Sequence, residues 1–186
     1  MNTEDLLKRI TVAFETAGIP YMLTGSFASA YHGEPRATQD IDWVVAATEA
    51  QIRELAGLLP EAEYYFDLDV ALDAVRRKSL FNIIDLRTGW KLDLIIQKLS
   101  PFELEKFQRR IKANYNGITL YIATAEDVVI SKLEWSKAGE SERQIRDVAG
   151  ILRVRSDLDR QYIEHWIATL GLQAQWSAAR TLAGVE

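Results

Sequence analysis

Apolar positions recur at helical spacing at the start of the chain, at a period of two through its middle, and at helical spacing again to its end. Leu6, Leu7, Ile10, Phe14 and Ala17 share one face of a helix predicted over 4–17. Gly18 suits its C-terminal stop, and Pro20 forbids continuation. A buried strand is predicted at 20–24 and a short helix at 26–32, where Ala28, Ser29 and Ala30 are small enough for close packing on a sheet. A second strand follows at 40–46, and Thr48 with Gln51 forms a capping box for a helix ending near Leu59. A strand at 63–67 and a helix at 69–77 come next. The runs 80–87 and 90–96, around a turn at Thr88-Gly89, predict a β-hairpin. Ser100, Pro101 and Glu103 mark a helix start, with Ser as N-cap, Pro at the first position and Glu closing the box. That helix is predicted to run to about Lys112, followed by a turn at Asn116-Gly117 and a last strand at 118–122. From Thr124 onward the pattern is helical only, over 125–137, 140–154, 157–170 and 173–183. The expected fold is α/β (α+β), a small mixed sheet flanked by helices, with a core over 1–123 and a helical C-terminal region over 124–186 packed on it.

Composition narrows the chemistry. A length of 186 residues suits one domain, or one domain with an appendage, and 48% hydrophobic with 26% charged residues is ordinary for a globular protein. The absence of cysteine excludes disulfides and thiolate catalysis, and two histidines, His32 and His165, argue against the common zinc sites. The first residues lack the basic start and apolar stretch of a signal peptide, and no apolar run approaches a membrane span. The expectation is therefore a cytoplasmic protein without a membrane partner. A net charge of −5 argues against broad nucleic-acid binding. Local basic groups, Arg76-Arg77-Lys78 and Lys106, Arg109, Arg110 and Lys112, could still hold tRNA phosphates, although a solvated helix face explains them as well.

The candidate chemistry lies in the first third of the chain. The strand at 20–24 runs into Gly25-Ser26 at the start of a helix, where free N–H groups can face a phosphate. The next strand carries Asp40 and Asp42, two residues apart and so on one face. Two like charges side by side repel unless a cation lies between them, and Mg²⁺ favours carboxylate oxygens together with substrate phosphates. Mn²⁺ suits the same oxygens. Asp93 is an isolated charge in Lys-Leu-Asp-Leu-Ile-Ile, costly there without a partner or a cation. A second Asp-x-Asp pair, Asp67 and Asp69, sits where a strand gives way to a helix, so capping is the expected role. Asp85 is expected to be exposed.

Gly25-Ser26 followed by Asp40-Ile41-Asp42, in strand–turn–helix–strand context, resembles the signature of the DNA polymerase β-like nucleotidyltransferase superfamily. Within it, three stretches resemble the bacterial abortive-infection and toxin–antitoxin type nucleotidyltransferases. They are Thr24-Gly-Ser-Phe-Ala-Ser with Arg36-Ala-Thr-Gln-Asp-Ile-Asp, then Phe81-Asn-Ile-Ile-Asp through Gly89-Trp-Lys-Leu-Asp-Leu-Ile, then Glu126-Asp-Val-Val-Ile-Ser-Lys-Leu-Glu-Trp with Arg143-Gln-Ile-Arg-Asp-Val-Ala-Gly-Ile-Leu. The resemblance implies transfer of a nucleoside monophosphate from an NTP to an acceptor hydroxyl, with release of pyrophosphate. It implies Asp40, Asp42 and Asp93 as metal ligands, with Asp93 also a general base, and Gly25 and Ser26 on the phosphates. A helical lysine and a later aspartate of that family fall on Lys132 and Asp147. Lys132 would reach the triphosphate or extend to solvent, and Asp147 would orient Lys132 or pair with Arg143. The acceptor the resemblance implies is a tRNA, a protein or a small molecule. A cognate antitoxin protein is an implied partner, and the alternatives are a nucleotide- or partner-binding module without turnover and the toxin half of a toxin–antitoxin pair.

Overall fold

The structure is a computed structural model and describes residues 3–139 and 141–185. It divides into two compact units, Met1–Thr24 with Thr38–Ile122, and Gly25–Ala37 with Ala123–Glu186.

The first unit is built on a sheet. Among the described residues its strands are β1 (Tyr21–Leu23), β2 (Asp40–Val45), β3 (Tyr64–Phe66), β4 (Leu80–Asp85), β5 (Lys91–Ile96), β6 (Ile111–Tyr115) and β7 (Ile118–Ile122), in the order β3-β4-β5-β2-β1-β7-β6. The sheet is mixed, with β2 parallel to β5 and β1 parallel to β7 and the other neighbours antiparallel. Strand alternation gives it two unlike faces. Ile41, Trp43, Val45, Leu92, Leu94 and Ile96 are buried on one, while Asp40, Asp42, Lys91 and Asp93 lie on the other and stay partly accessible. Trp43 packs edge-on against Phe14, centroids 5.5 Å apart, and against Tyr21 at 5.6 Å, which anchors the helix Thr3–Thr16 (α1) over the buried face.

Local chemistry explains most of the remaining elements of this unit. Thr48 and Gln51 close the expected capping box at the helix Glu49–Leu58, and Asp67 caps the helix Leu68–Arg77 through the Val70 N–H. Three expectations are corrected. The helix that starts at Pro101 ends at Arg109, not near Lys112, because residues 111–115 form β6 instead. Asn116 and Gly117 both take positive φ, 49° and 84°, so the turn closes a tight hairpin that pairs 111–115 with 118–122. Ser100 makes no side-chain cap bond, and Glu103 takes Lys106 instead, at 2.8 Å. Asp85 is fully buried rather than exposed. It accepts from Arg9 at 2.8 Å and from the Arg87 N–H at 3.0 Å, and so pins the turn between β4 and β5.

The second unit is helical among its described residues. It comprises α2 (Gly25–His32), α6 (Ala125–Gly139), α7 (Glu142–Val154), α8 (Arg160–Leu170) and α9 (Gln173–Ala183), the labels α3, α4 and α5 falling to the helices from Glu49, Leu68 and Pro101. Ala28, Val129, Leu133, Ala149, Ile151, Ile163 and Ala179 are buried in this unit. Gly33 lies so close to α7 that a β-carbon on it would fall 2.8 Å from the Ile151 nitrogen. His32 is buried against the Ala123 carbonyl at 2.7 Å, with Arg155 3.2 Å from its other ring nitrogen. A carbonyl only accepts, so His32 Nε2 carries the proton and Nδ1 accepts from Arg155. Burial lowers the His32 pKa, the Arg155 charge acts in the same direction, and together they outweigh the opposing bond to Ala123.

Candidate active site

The three carboxylates expected to bind metal lie on one face of the sheet. Asp42 lies opposite Asp93 in the parallel pairing of β2 and β5, and Asp40 lies opposite Lys91. The four side chains form two adjacent cross-strand pairs on one face. β1 holds this strand in place from the other side, the Thr24 N–H donating to the Asp42 carbonyl at 2.9 Å. Asn82 of β4 lies opposite Asp93 on its far flank.

Two of these carboxylates share one ammonium. Lys91 Nζ stands 2.9 Å from Asp93 Oδ2 and 3.8 Å from Asp40 Oδ1. The hydrogen bond to Asp93 raises the Lys91 pKa above 10.5, with further attraction from Asp93, Asp40 and Asp42 outweighing a burial penalty. The other oxygen of Asp93, Oδ1, is buried and has no hydrogen-bond partner. An unsatisfied buried oxygen beside further acids is a place for a cation. Among the described residues no three acidic, histidine or cysteine side chains are placed as a group that could hold a metal ion. The donor set nonetheless suits a hard divalent cation, since it offers carboxylate oxygens on one face and one of those oxygens is unpartnered.

The helical unit holds the other residues expected at the site, and it holds them in a different way. Gly25 opens α2 with φ of 61°, a left-handed conformation that disfavours any side chain at the turn. Ser26, next along α2, is buried, and its hydroxyl accepts a short hydrogen bond from Arg36. Arg36 donates through Nε to both oxygens of Asp147, at 2.9 and 3.1 Å. Lys132 of α6 closes the chain, donating to Asp147 at 2.7 Å and to Gln144 at 3.1 Å. Lys132 is therefore buried in an ion pair and does not extend to solvent, and Asp147 pairs with it and not with Arg143. Burial alone would raise the Asp147 pKa, but the hydrogen bonds from Arg36 and Lys132 and their charges lower it below the usual value. Ser26, Arg36, Asp147 and Lys132 form one connected network within this unit. Its members come from α2, the 33–37 segment, α7 and α6.

Two members of these clusters had no assigned role in the sequence. Lys91 stands two residues before Asp93, and strand alternation alone puts both on one face. Arg36 bonds to a residue 111 positions away, which no local pattern reveals.

No family model and no curated protein matches this chain. Solved structures do. The chain is similar to a lincosamide antibiotic adenylyltransferase, LnuA, in its lincomycin-bound form, at 13% identity over 83% of this chain and 99% of that one, with a TM-score of 0.56. It is also similar to the antibiotic-resistance factor ANT(2'')-Ia, at 12% identity over 99% and 91% of the two chains, with a TM-score of 0.49. An antigenic nucleotidyltransferase-like protein from Paracoccidioides brasiliensis aligns at 15% identity over 94% and 91%, with a TM-score of 0.48. The likeness to LnuA establishes the fold: this mixed α/β chain carries the nucleotidyltransferase fold.

Proposed function

We propose that the protein is a divalent-metal-dependent nucleotidyltransferase that moves a nucleoside monophosphate from an NTP to an acceptor hydroxyl and releases pyrophosphate. The observation that carries this reading is the placement of Asp40, Asp42 and Asp93 on one sheet face, with Lys91 shared by Asp40 and Asp93 and a buried, unpartnered Asp93 oxygen. Asp40, Asp42 and Asp93 would hold Mg²⁺ or Mn²⁺. The bound metal would polarise the α-phosphate and offset charge on the leaving pyrophosphate. Asp93 accepts the proton of the acceptor hydroxyl as the general base, the role its free lone pairs allow. The Gly25 turn leaves room for close backbone approach, and the N–H groups at the start of α2 with the Ser26 hydroxyl hold the β- and γ-phosphates. Arg36 fixes Ser26, and Asp147 fixes Arg36 and Lys132. Lys132, oriented in this way, supplies positive charge for the triphosphate.

For the acceptor we favour a small hydroxylated molecule over tRNA. LnuA is an antibiotic adenylyltransferase seen with lincomycin bound. The basic groups that could grip RNA are largely engaged: Arg76 and Arg77 pair with Asp73, Arg76 also with Glu49, Lys106 is buried with Glu103, and Arg110 lies over Phe107 and Tyr121. The test is transfer of label from an α-labelled NTP to small hydroxylated molecules and to tRNA, with and without Mg²⁺. Metal-dependent labelling that disappears in Asp93→Asn supports the reading. Metal-independent labelling, or full activity in that variant, refutes it.

A further inference from the structure

We propose that the helical unit carries an anion-binding cleft of its own, built to take a ligand with two or more adjacent phosphates. The cleft has a volume of about 530 Å³, within the range of small-molecule sites. Its charged lining is Arg36, Arg143, Arg146 and Arg153 against Glu34 and Asp147, a net positive surface on a protein of net charge −5.

The four arginines divide into two kinds. Arg36 is committed to Asp147, Ser26 and the Ala37 carbonyl. Arg153 forms a forked pair with Glu34, both bonds 2.8 Å, and donates to the Leu182 carbonyl. These two form a fixed wall. Arg143 and Arg146 stand one turn apart on α7 and are exposed. The Arg143 guanidinium has no partner among the described residues, and Arg146 has only a solvent-exposed contact with Glu142 at 3.7 Å. They are two uncommitted forks over a cavity whose other charges are already neutralised in pairs. Planar guanidinium groups bind phosphate oxygens in pairs, so two uncommitted guanidiniums on one helix face favour a ligand with adjacent phosphates over a lone carboxylate. Gly150 packs closely on Glu34, since a β-carbon there would fall 3.2 Å from the Glu34 side chain. The cleft shares Arg36 and Asp147 with the network proposed to hold Ser26 and Lys132, but its uncommitted charges, Arg143 and Arg146, have no part in the proposed transfer reaction, and the inference needs none of the carboxylates of the sheet.

The test is calorimetric titration of the intact protein with inorganic pyrophosphate in EDTA. Wild type binds, Arg143→Ala/Arg146→Ala binds at least tenfold more weakly, and Asp40→Asn/Asp42→Asn binds as wild type does. Both arginines are exposed, so the variant's circular dichroism should match wild type, and Arg143→Lys/Arg146→Lys should recover only part of the loss. No binding to wild type, or equal binding to the double alanine variant, overturns the proposal. Competition arms identify the source of the phosphates. Displacement by a nucleoside diphosphate places them on a small molecule, and displacement that grows with the length of a single-stranded oligonucleotide places them on a nucleic-acid backbone. Failure of both while pyrophosphate binds overturns the assignment to a phosphate-bearing organic ligand.

Discussion

Asp93 and Asp147 are both largely buried acids beside a lysine, and they are balanced in opposite ways. Asp147 has two cations for one carboxylate, Lys132 at 2.7 Å and Arg36 at 2.9 Å, and both its oxygens are bonded. Asp93 shares the one ammonium of Lys91 with Asp40, lies opposite Asp42, and keeps a buried oxygen without a partner. A satisfied network is rigid and resists change; an under-satisfied one has affinity left for a cation. Here the network around Asp147 is fixed, and Asp93 keeps an oxygen short of a partner. In the proposed reading the first arrangement positions side chains and the second takes the cation.

The comparison breaks most visibly in stability. Asp147→Ala removes the carboxylate that balances Lys132 and Arg36 and should cost about 3–5 kcal/mol, the range for breaking a buried ion pair by removing one partner. Asp93→Asn relieves crowding among acids and should leave the denaturation midpoint unchanged or raised. Urea denaturation of the two variants checks this, and equal losses would erase the distinction. The ranking reverses for turnover. Asp93→Asn should slow metal-dependent nucleotidyl transfer by about 10²–10³-fold, roughly 2.7–4 kcal/mol, measured with labelled NTP.

Acid should act on the helical unit first. The folded Asp147 pKa lies below its unfolded value, so its contribution is complete above the unfolded value, near 3.8, and is lost as pH falls through the folded one. The folded His32 pKa is also lowered, from 6.5, so its contribution is present above 6.5 and declines below it as the unfolded chain takes up the proton. Stability should therefore fall in two stages on acidification. Asp147→Asn should abolish the lower stage and His32→Gln the upper, as read from denaturation midpoints against pH. The smallest effect belongs to Lys91. Its pair with Asp93 is part-exposed, so Lys91→Ala should cost under about 1 kcal/mol of stability. The same change should tighten divalent-cation binding severalfold, because it removes the ammonium that pairs with Asp93 and Asp40. Unchanged or weaker cation binding in that variant would count against the charge shortage.

Much of this was legible in the sequence, and the exceptions share a cause. Asp40 and Asp42 declare a common face through strand alternation, and Asp67 and Thr48 declare their caps through local spacing. Lys91 was legible by the same alternation. Arg36 was not, because its partners Ser26 and Asp147 lie on separate helices of the folded unit. β6 was missed because residues 109–112 favour a helix locally, and pairing with β7 overrides that preference. Asp85 read as exposed because its partner Arg9 lies on α1, 76 residues away.

The most direct test of the central claim is NTP binding by calorimetry with and without Mg²⁺, in wild type and in Asp40→Asn/Asp42→Asn. Mg²⁺ should strengthen binding in wild type and have no effect in the double variant. Mg²⁺-dependent binding of equal strength in both proteins would contradict the account.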